Sequence, residues 1–324
     1  MGIDKPVLGL CCVFLTLYLA GCEKLSTAAS IDKESQDNSV FLDRKAVIPR
    51  DAVKMSAETD ENPPLLYSDE FEPPVPLPGE VNTAGAEDAV FVSPNGQQLY
   101  FFFTPDLNVP AEKQILDGVT GLYVSHKDGD SWGEPQRILL QEPGKLALDG
   151  CEYVREGVLW FCSSREGYEG IHWFTARMVD DRWQDWQPVD FEPSYEVGEL
   201  HISREGRQLY FHSARPGGLG GLDIWVSNLE GGKWQEPTNL ASVNTPEDDG
   251  WPALNSAEDE LWITRNWGVW RSQKVNGEWQ QAELIVSPLA GEASLDAEGN
   301  LYFIHHYLKD GKLVEADVFV AYRK

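Results

Sequence analysis

Short runs in which every residue is apolar return along the chain. They are Leu99-Tyr100-Phe101, Leu159-Trp160-Phe161, Leu209-Tyr210-Phe211, Leu261-Trp262-Ile263 and Leu301-Tyr302-Phe303. Runs this short, rich in aromatic residues, predict strands, and their lack of polar alternation predicts strands covered on both faces. The fullest surrounding unit spans residues 197–245. It reads as a strand over 198–203, the turn Arg204-Glu205-Gly206-Arg207, a strand over 209–212, a Gly-rich loop over 214–221 and a strand over 223–227. Gly231-Gly232-Lys233-Trp234-Gln235-Glu236-Pro237 and the short segment Asn239-Leu240-Ala241 complete it.

The third strand of this unit recurs at residues 121–125, 171–175, 268–272 and 317–321, and its Trp recurs at Trp132, Trp183 and Trp279. Trp132 to Trp183 is 51 residues, and Trp183 to Trp234 is 51 again. A period of this size with four β-segments predicts an all-β propeller. The register gives five four-stranded blades over residues 65–324. The last copy stops after its third strand. Its missing outer strand is expected at the other end of the domain, where Phe71-Glu72-Pro73-Pro74-Val75-Pro76-Leu77 and Val81-Asn82-Thr83 match Trp234–Thr245. The N-terminal segment would then complete the last blade and close the ring, leaving no unpaired blade face.

Ahead of the propeller the pattern changes. Lys5 and the apolar run 7–19 read as a signal peptide, too short for a comfortable membrane span. Leu19-Ala20-Gly21-Cys22 resembles the lipobox of bacterial lipoproteins. That resemblance implies cleavage after residue 21, diacylation of Cys22 and a lipid anchor in the cell envelope. Glu23, in place of a retaining Asp, leans toward the outer membrane, facing the periplasm. Residues 1–22 are thus read as signal peptide, and 23–64, rich in Ser, Asp, Glu, Lys and Ala, as a flexible tether.

Composition narrows the partners. The 324 residues carry a net charge of −27, so nucleic acid and bare anionic surfaces are poor partners. Aromatics at 11%, with 12 Trp spread along the chain, argue for a folded domain.

The units resemble the WD-like propeller repeats of TolB and of many bacterial envelope lipoproteins. The resemblance rests on residues 203–206 and 209–211, on Ser213-Ala214-Arg215-Pro216-Gly217-Gly218-Leu219-Gly220-Gly221-Leu222-Asp223-Ile224-Trp225, and on 234–237. It covers about 65–324 and implies a fold and an envelope setting, but no reaction. Residues 104–120 and 305–312 depart from the pattern. The stretches 125–132, 227–234 and 272–279 resemble the Asp-boxes of sialidases, but Lys127, Leu229 and Lys274 stand where the defining Asp belongs.

In a propeller the first strand of each blade lines the central channel. Aligned on Ser93, Arg155, Ser203, Asn255 and Asp296, these strands carry acids at or just before their starts: Glu87 and Asp88, Asp149, Glu199, Asp248 and Asp249, and Glu292. Such a ring would hold a cation or sugar hydroxyls, or supply the two carboxyls of a glycosidase. The competing reading is structural pairing with Arg165, Arg215 and Arg265. Hairpin register sets Cys151 opposite Cys162, as a disulfide or packed thiols, and sets Glu199 opposite His212 and His201 opposite Tyr210. Glu199, His201 and His212 would form an acid–base group or a polar inter-blade patch. Trp251 would be a sugar platform or packing. His305 and His306 point to opposite faces.

No Gly-x-Ser-x-Gly, His-Glu-x-x-His, phosphate-loop or dinucleotide fingerprint is present. The sequence therefore assigns no catalytic residue, metal or cofactor. It predicts a monomeric, lipid-anchored propeller that binds an envelope protein or glycan. The alternative is a glycan-acting enzyme using two mouth carboxylates.

Overall fold

The computed structural model describes residues 42–142, 145–189, 191 and 198–324. The segment expected to be a signal peptide, Cys22 and the first part of the expected tether lie outside the described residues. So does Val197, which opens the fullest repeat.

Units 2, 3 and 4 form separate antiparallel sheets, while units 5 and 1 are joined into one sheet by a parallel pairing of Ala316 with Ala86. The first strands are Ala86–Val92, Ala147–Arg155, Leu200–Ile202, Asp249–Leu254 and Ala290–Leu295. The second strands hold the Leu-aromatic runs: Gln98–Thr104, Val158–Arg165, Gln208–Ser213, Glu260–Arg265 and Leu301–Lys309. The third strands are Gly121–Asp128, His172–Val179, Asp223–Glu230, Gly268–Val275 and Lys312–Ala321. Short outer segments pair with the third strands in units 1 to 4. Around the centre, the first strand of each unit contacts that of the next, and the fifth contacts the first. The molecule is a β-propeller, with the first strands of its units around the axis.

Unit 5 takes its outer strand from the N-terminal side, as the repeat comparison predicts. Val75 pairs with Val320 and Pro76 with Phe319, antiparallel. A further pairing was not anticipated: Leu65–Leu66 adds to the outer edge of unit 4, opposite Ser287 and Val286.

The recurring Trp packs one unit on another. Trp132 lies edge-on to Tyr302 at 6.3 Å, Trp183 to Tyr100 at 6.4 Å and Trp279 to Tyr210 at 6.3 Å. In each pair the Trp belongs to one unit and the Tyr to the second strand of the preceding one. Such an edge-to-face pair contributes about 0.5–1.5 kcal/mol beyond the area it buries. The Ser eight residues before the consensus Gly or Gln also has a structural task. Ser125 Oγ donates to the carbonyl of Gly133 at 2.7 Å, and Ser227 Oγ to that of Gln235 at 2.5 Å. The Asp-box likeness thus reflects a tie between third strand and outer turn.

The described part of the tether differs from the expectation of a flexible segment. Residues 42–62 form a strap packed on units 1 and 5. Arg44 is 2% exposed and bonds Glu87 Oε1 at 2.7 Å, with its guanidinium near the rings of Phe101 and Phe103. Lys54 reaches Glu315 and Asp317, and Asp60 lies 2.8 Å from His305 Nε2. The cause is charge. Units 2, 3 and 4 carry an Arg after the second strand, whereas no Arg follows it in units 1 and 5. The strap brings the missing cations to their buried carboxylates.

Candidate functional site at the propeller axis

Strand register aligns the units residue by residue. Phe91 faces Tyr100, Tyr153 faces Trp160, His201 faces Tyr210, Ala253 faces Trp262 and Ser294 faces Tyr302. This alignment is the one read from the sequence. It divides the proposed ring of carboxylates into two layers with different surroundings.

Four residues before each reference position stand Glu87, Asp149, Asp249 and Ala290 in the described units. The three acids here are held structurally. Glu87 is bound by Arg44, by the Thr83 amide at 2.9 Å and by the Thr83 hydroxyl at 2.7 Å. Asp149 accepts from Arg165 at 2.7 Å and Ser163 at 2.6 Å. Asp249 accepts from Arg265 at 2.5 Å and from the Thr245 amide at 2.6 Å. Asp248 accepts from the Leu222 amide at 2.8 Å. Arg215 stacks on Phe211 and Trp225. Glu87, Asp149 and Asp249 are thus engaged by arginine and do not face a common ligand.

Two residues before the reference stand Ala89, Cys151, Glu199, Trp251 and Glu292. Four of these have left-handed backbones, with φ of 52° for Ala89, 56° for Cys151, 54° for Trp251 and 55° for Glu292. Each of the four lies in a register shift of the first strand. A bulge inserts one residue and re-aims its side chain. Here the bulges bring an irregular set of side chains to the axis.

A small well of about 40 Å³ lies there, lined by Glu152, Glu199, His201, Trp251 and Glu292 among others. Sequence reasoning missed Glu152. It occupies the place held by Val90, Leu200, Pro252 and Ala293 in the other units, so a lone acid inside an otherwise apolar column was its signal. Glu152 is 6% exposed, and neither carboxyl oxygen accepts a hydrogen bond from another residue among those described. Burial pushes its carboxyl well above the usual range; its own amide opposes this, and Glu199 and Asp88 push the same way. Glu292 is 4% exposed. Its Oε2 accepts from the Ala89 amide at 2.7 Å, and its carboxyl also hydrogen-bonds with that of Asp88. Burial, then Asp88 and Glu199, raises its carboxyl well above the ordinary value.

Glu199 is the more open acid, with its side chain 17% exposed, and its Oε2 lies 3.5 Å from His212 Nε2. His212 Nδ1 accepts from the Trp251 amide at 3.1 Å, which leaves the ring proton on Nε2, toward Glu199. Gly198 makes room for that ring, since a Cβ there would fall 1.8 Å from His212 Nε2. Burial holds His212 down to about 4 and His201 to about 3, so both are neutral near pH 7. His201 packs on Tyr153, and the Trp251 ring lies 4.9 Å from His212. The indole N–H of Trp251 has no acceptor among the described residues. Asp88 Oδ1 lies 3.7 Å from His306 Nε2, while His305 turns to Asp60, so the two histidines do face opposite ways.

Cys151 and Cys162 are joined as a disulfide with Cα atoms 5.3 Å apart. The expected register holds from Arg155 to Tyr153. The bulge then pairs Gly150, not Cys151, with Cys162. The bridge ties this bulge to the second strand, next to Glu152. Among the described residues no three His, Cys, Asp or Glu side chains converge to hold a metal ion directly.

No family model and no curated protein matches the chain. Among solved structures it is similar to a protein described as Bacteroides ovatus xyloglucan PUL GH43B, at 15% identity and a TM-score of 0.47, over 76% of this chain and 53% of that one. It is also similar to the Xanthomonas campestris gluconolactonase XC5397, at 11% identity and a TM-score of 0.44, over 81% of this chain and 95% of that one. RS223-beta-xylosidase matches at 12% identity and a TM-score of 0.44, over 78% of this chain and 95% of that one. The chain spans about half the length of the xyloglucan-locus protein and 42% of a puromycin hydrolase that it also resembles. The functional reading below rests on the geometry of the axis alone.

Proposed function

We propose that the chain works on a glycan at the propeller axis, with Glu152 as acid and Glu199 as base. One observation carries this reading: Glu152 is a buried carboxyl without a partner residue among those described, in one unit only. A structural role recurs with the repeat, as it does for Glu87, Asp149 and Asp249. An uncompensated buried acid costs stability and marks a functional site. Two carboxyls in unlike surroundings suit glycoside hydrolysis. The neutral Glu152 gives its proton to the glycosidic oxygen as the bond to the anomeric carbon breaks. Glu199 takes a proton from the water whose oxygen forms the new bond. The setting is the cell envelope, with Cys22 as lipid anchor. Cys22→Ala would release the protein from the membrane fraction and abolish its labelling by lipid.

A second reading is binding without cleavage, of an envelope glycan or protein. The size of the well favours it, since about 40 Å³ admits a substituent or a water rather than a sugar ring. Release of reducing ends from a panel of polysaccharides separates the two. Hydrolysis predicts turnover that drops by about 10²–10⁴-fold in Glu152→Gln. Retained binding with no turnover by the wild type would leave the second reading.

A further inference from the structure

The molecule shows how it holds an ammonium group. Lys54 Nζ sits between Glu315 and Asp317, with the ring of Tyr307 at 5.9 Å. The axis repeats that chemistry without the ammonium. Neither carboxyl oxygen of Glu152 has a hydrogen-bond partner residue among those described, Glu199 and Glu292 line the same well, and Tyr153 and Trp251 border it. Among the described residues no Lys or Arg lines the well.

Two further observations narrow the ligand. Trp251, 8% exposed, lines the well, and its indole N–H has no acceptor among the described residues, so a ligand that brings an oxygen as well as a positive charge would satisfy it. The carboxyls do not converge as direct metal ligation at 2.3–2.6 Å requires, whereas an ammonium takes three dispersed hydrogen bonds at longer range. The well's volume of about 40 Å³ fits one such group. We infer that the axial site takes a primary ammonium carried beside a hydroxyl, as on an amino sugar whose nitrogen is free rather than acetylated. This deepens the glycan reading and rests on it.

Titration calorimetry of the full chain tests the inference with β-1,4-linked glucosamine oligomers, the N-acetylated oligomers of equal length, neutral gluco-oligomers and calcium chloride. The glucosamine oligomer is expected to bind at least about tenfold more tightly than the other two glycans, a preference of about 1.4 kcal/mol. Glu199→Gln should erase most of that preference while keeping a cooperative melt, since Glu199 is the more open carboxylate of the well and meets the ammonium's charge. Glu152→Gln, which replaces one neutral side chain by another, should keep most of it. Trp251→Phe should weaken all three glycans together. Equal affinity for the three glycans would overturn the ammonium and leave the glycan reading standing. No affinity for any glycan would overturn both. Calcium binding that excludes the glucosamine oligomer would replace the ammonium by a metal.

Discussion

Arg44 and Glu152 are two buried charged side chains with opposite fates. Arg44 comes from outside the repeats and neutralises Glu87, whose remaining bonds come from Thr83. Arg44→Ala would strand that carboxylate. The expected loss is about 3–5 kcal/mol, read from chemical denaturation, with part of it recovered in Arg44→Ala/Glu87→Gln. Glu152 has no such partner, and its signature is pH dependence. Folded, Glu152 and Glu292 hold protons at pH values where the unfolded chain, near 4.5, has released them. The folded state then binds more protons, and stability falls as pH rises above about 4.5. His201 and His212 act in the other direction. Their stabilisation is complete above 6.5 and is lost as pH falls toward about 3 and about 4. Above pH 6.5 these histidines are silent. The melting temperature should fall over that window in the wild type and fall less in Glu152→Gln.

At the scale of the element, the bulged first strand is what separates a repeat from a site. In unit 2 the bulge is fastened by Cys151–Cys162, closing a loop with a sequence separation of 11. Replacing both cysteines by Ser should cost about 2–3 kcal/mol through the freed unfolded chain. It should also loosen the placement of Glu152, so any turnover should fall further than stability alone explains. The strands themselves were legible because Leu-aromatic runs and the 51-residue Trp spacing are local and periodic. The bulges were not, because one inserted residue leaves the apolar pattern intact while shifting what faces the axis. For that reason Asp149 and Glu199 seemed to belong to one ring, although a two-residue offset puts one against Arg165 and the other in the well. The strap was equally hidden. Arg44 meets Glu87 across 43 residues and Lys54 meets Asp317 across 263, and no periodicity announces such pairings.

For the whole molecule, closure matters most. Deleting residues 65–83 would remove the outer strand of unit 5, the segment added to unit 4 and Thr83 beneath Glu87. A single cooperative melt should give way to a broader transition at lower temperature, measured by calorimetry. The −27 net charge is carried by a fold that has matched its buried arginines and strap cations to the outer acid layer. The axis is where that matching stops, and there a ligand's charge would count most.

The pairing of Val75 with Val320 also sets an order of events in time. The two residues are 245 positions apart, so the strand that seals the ring is synthesised long before its partner and is the last of the outer strands to pair. At about 5–20 residues per second, it waits roughly 12–50 s for that partner to exist. Until then unit 5 has no outer edge, and the young chain is an open arc with a sticky strand at each end. A factor that shields residues 65–83 during synthesis would act on this interval, and its absence would show as domain-swapped or aggregated chains rather than as a lowered melting point.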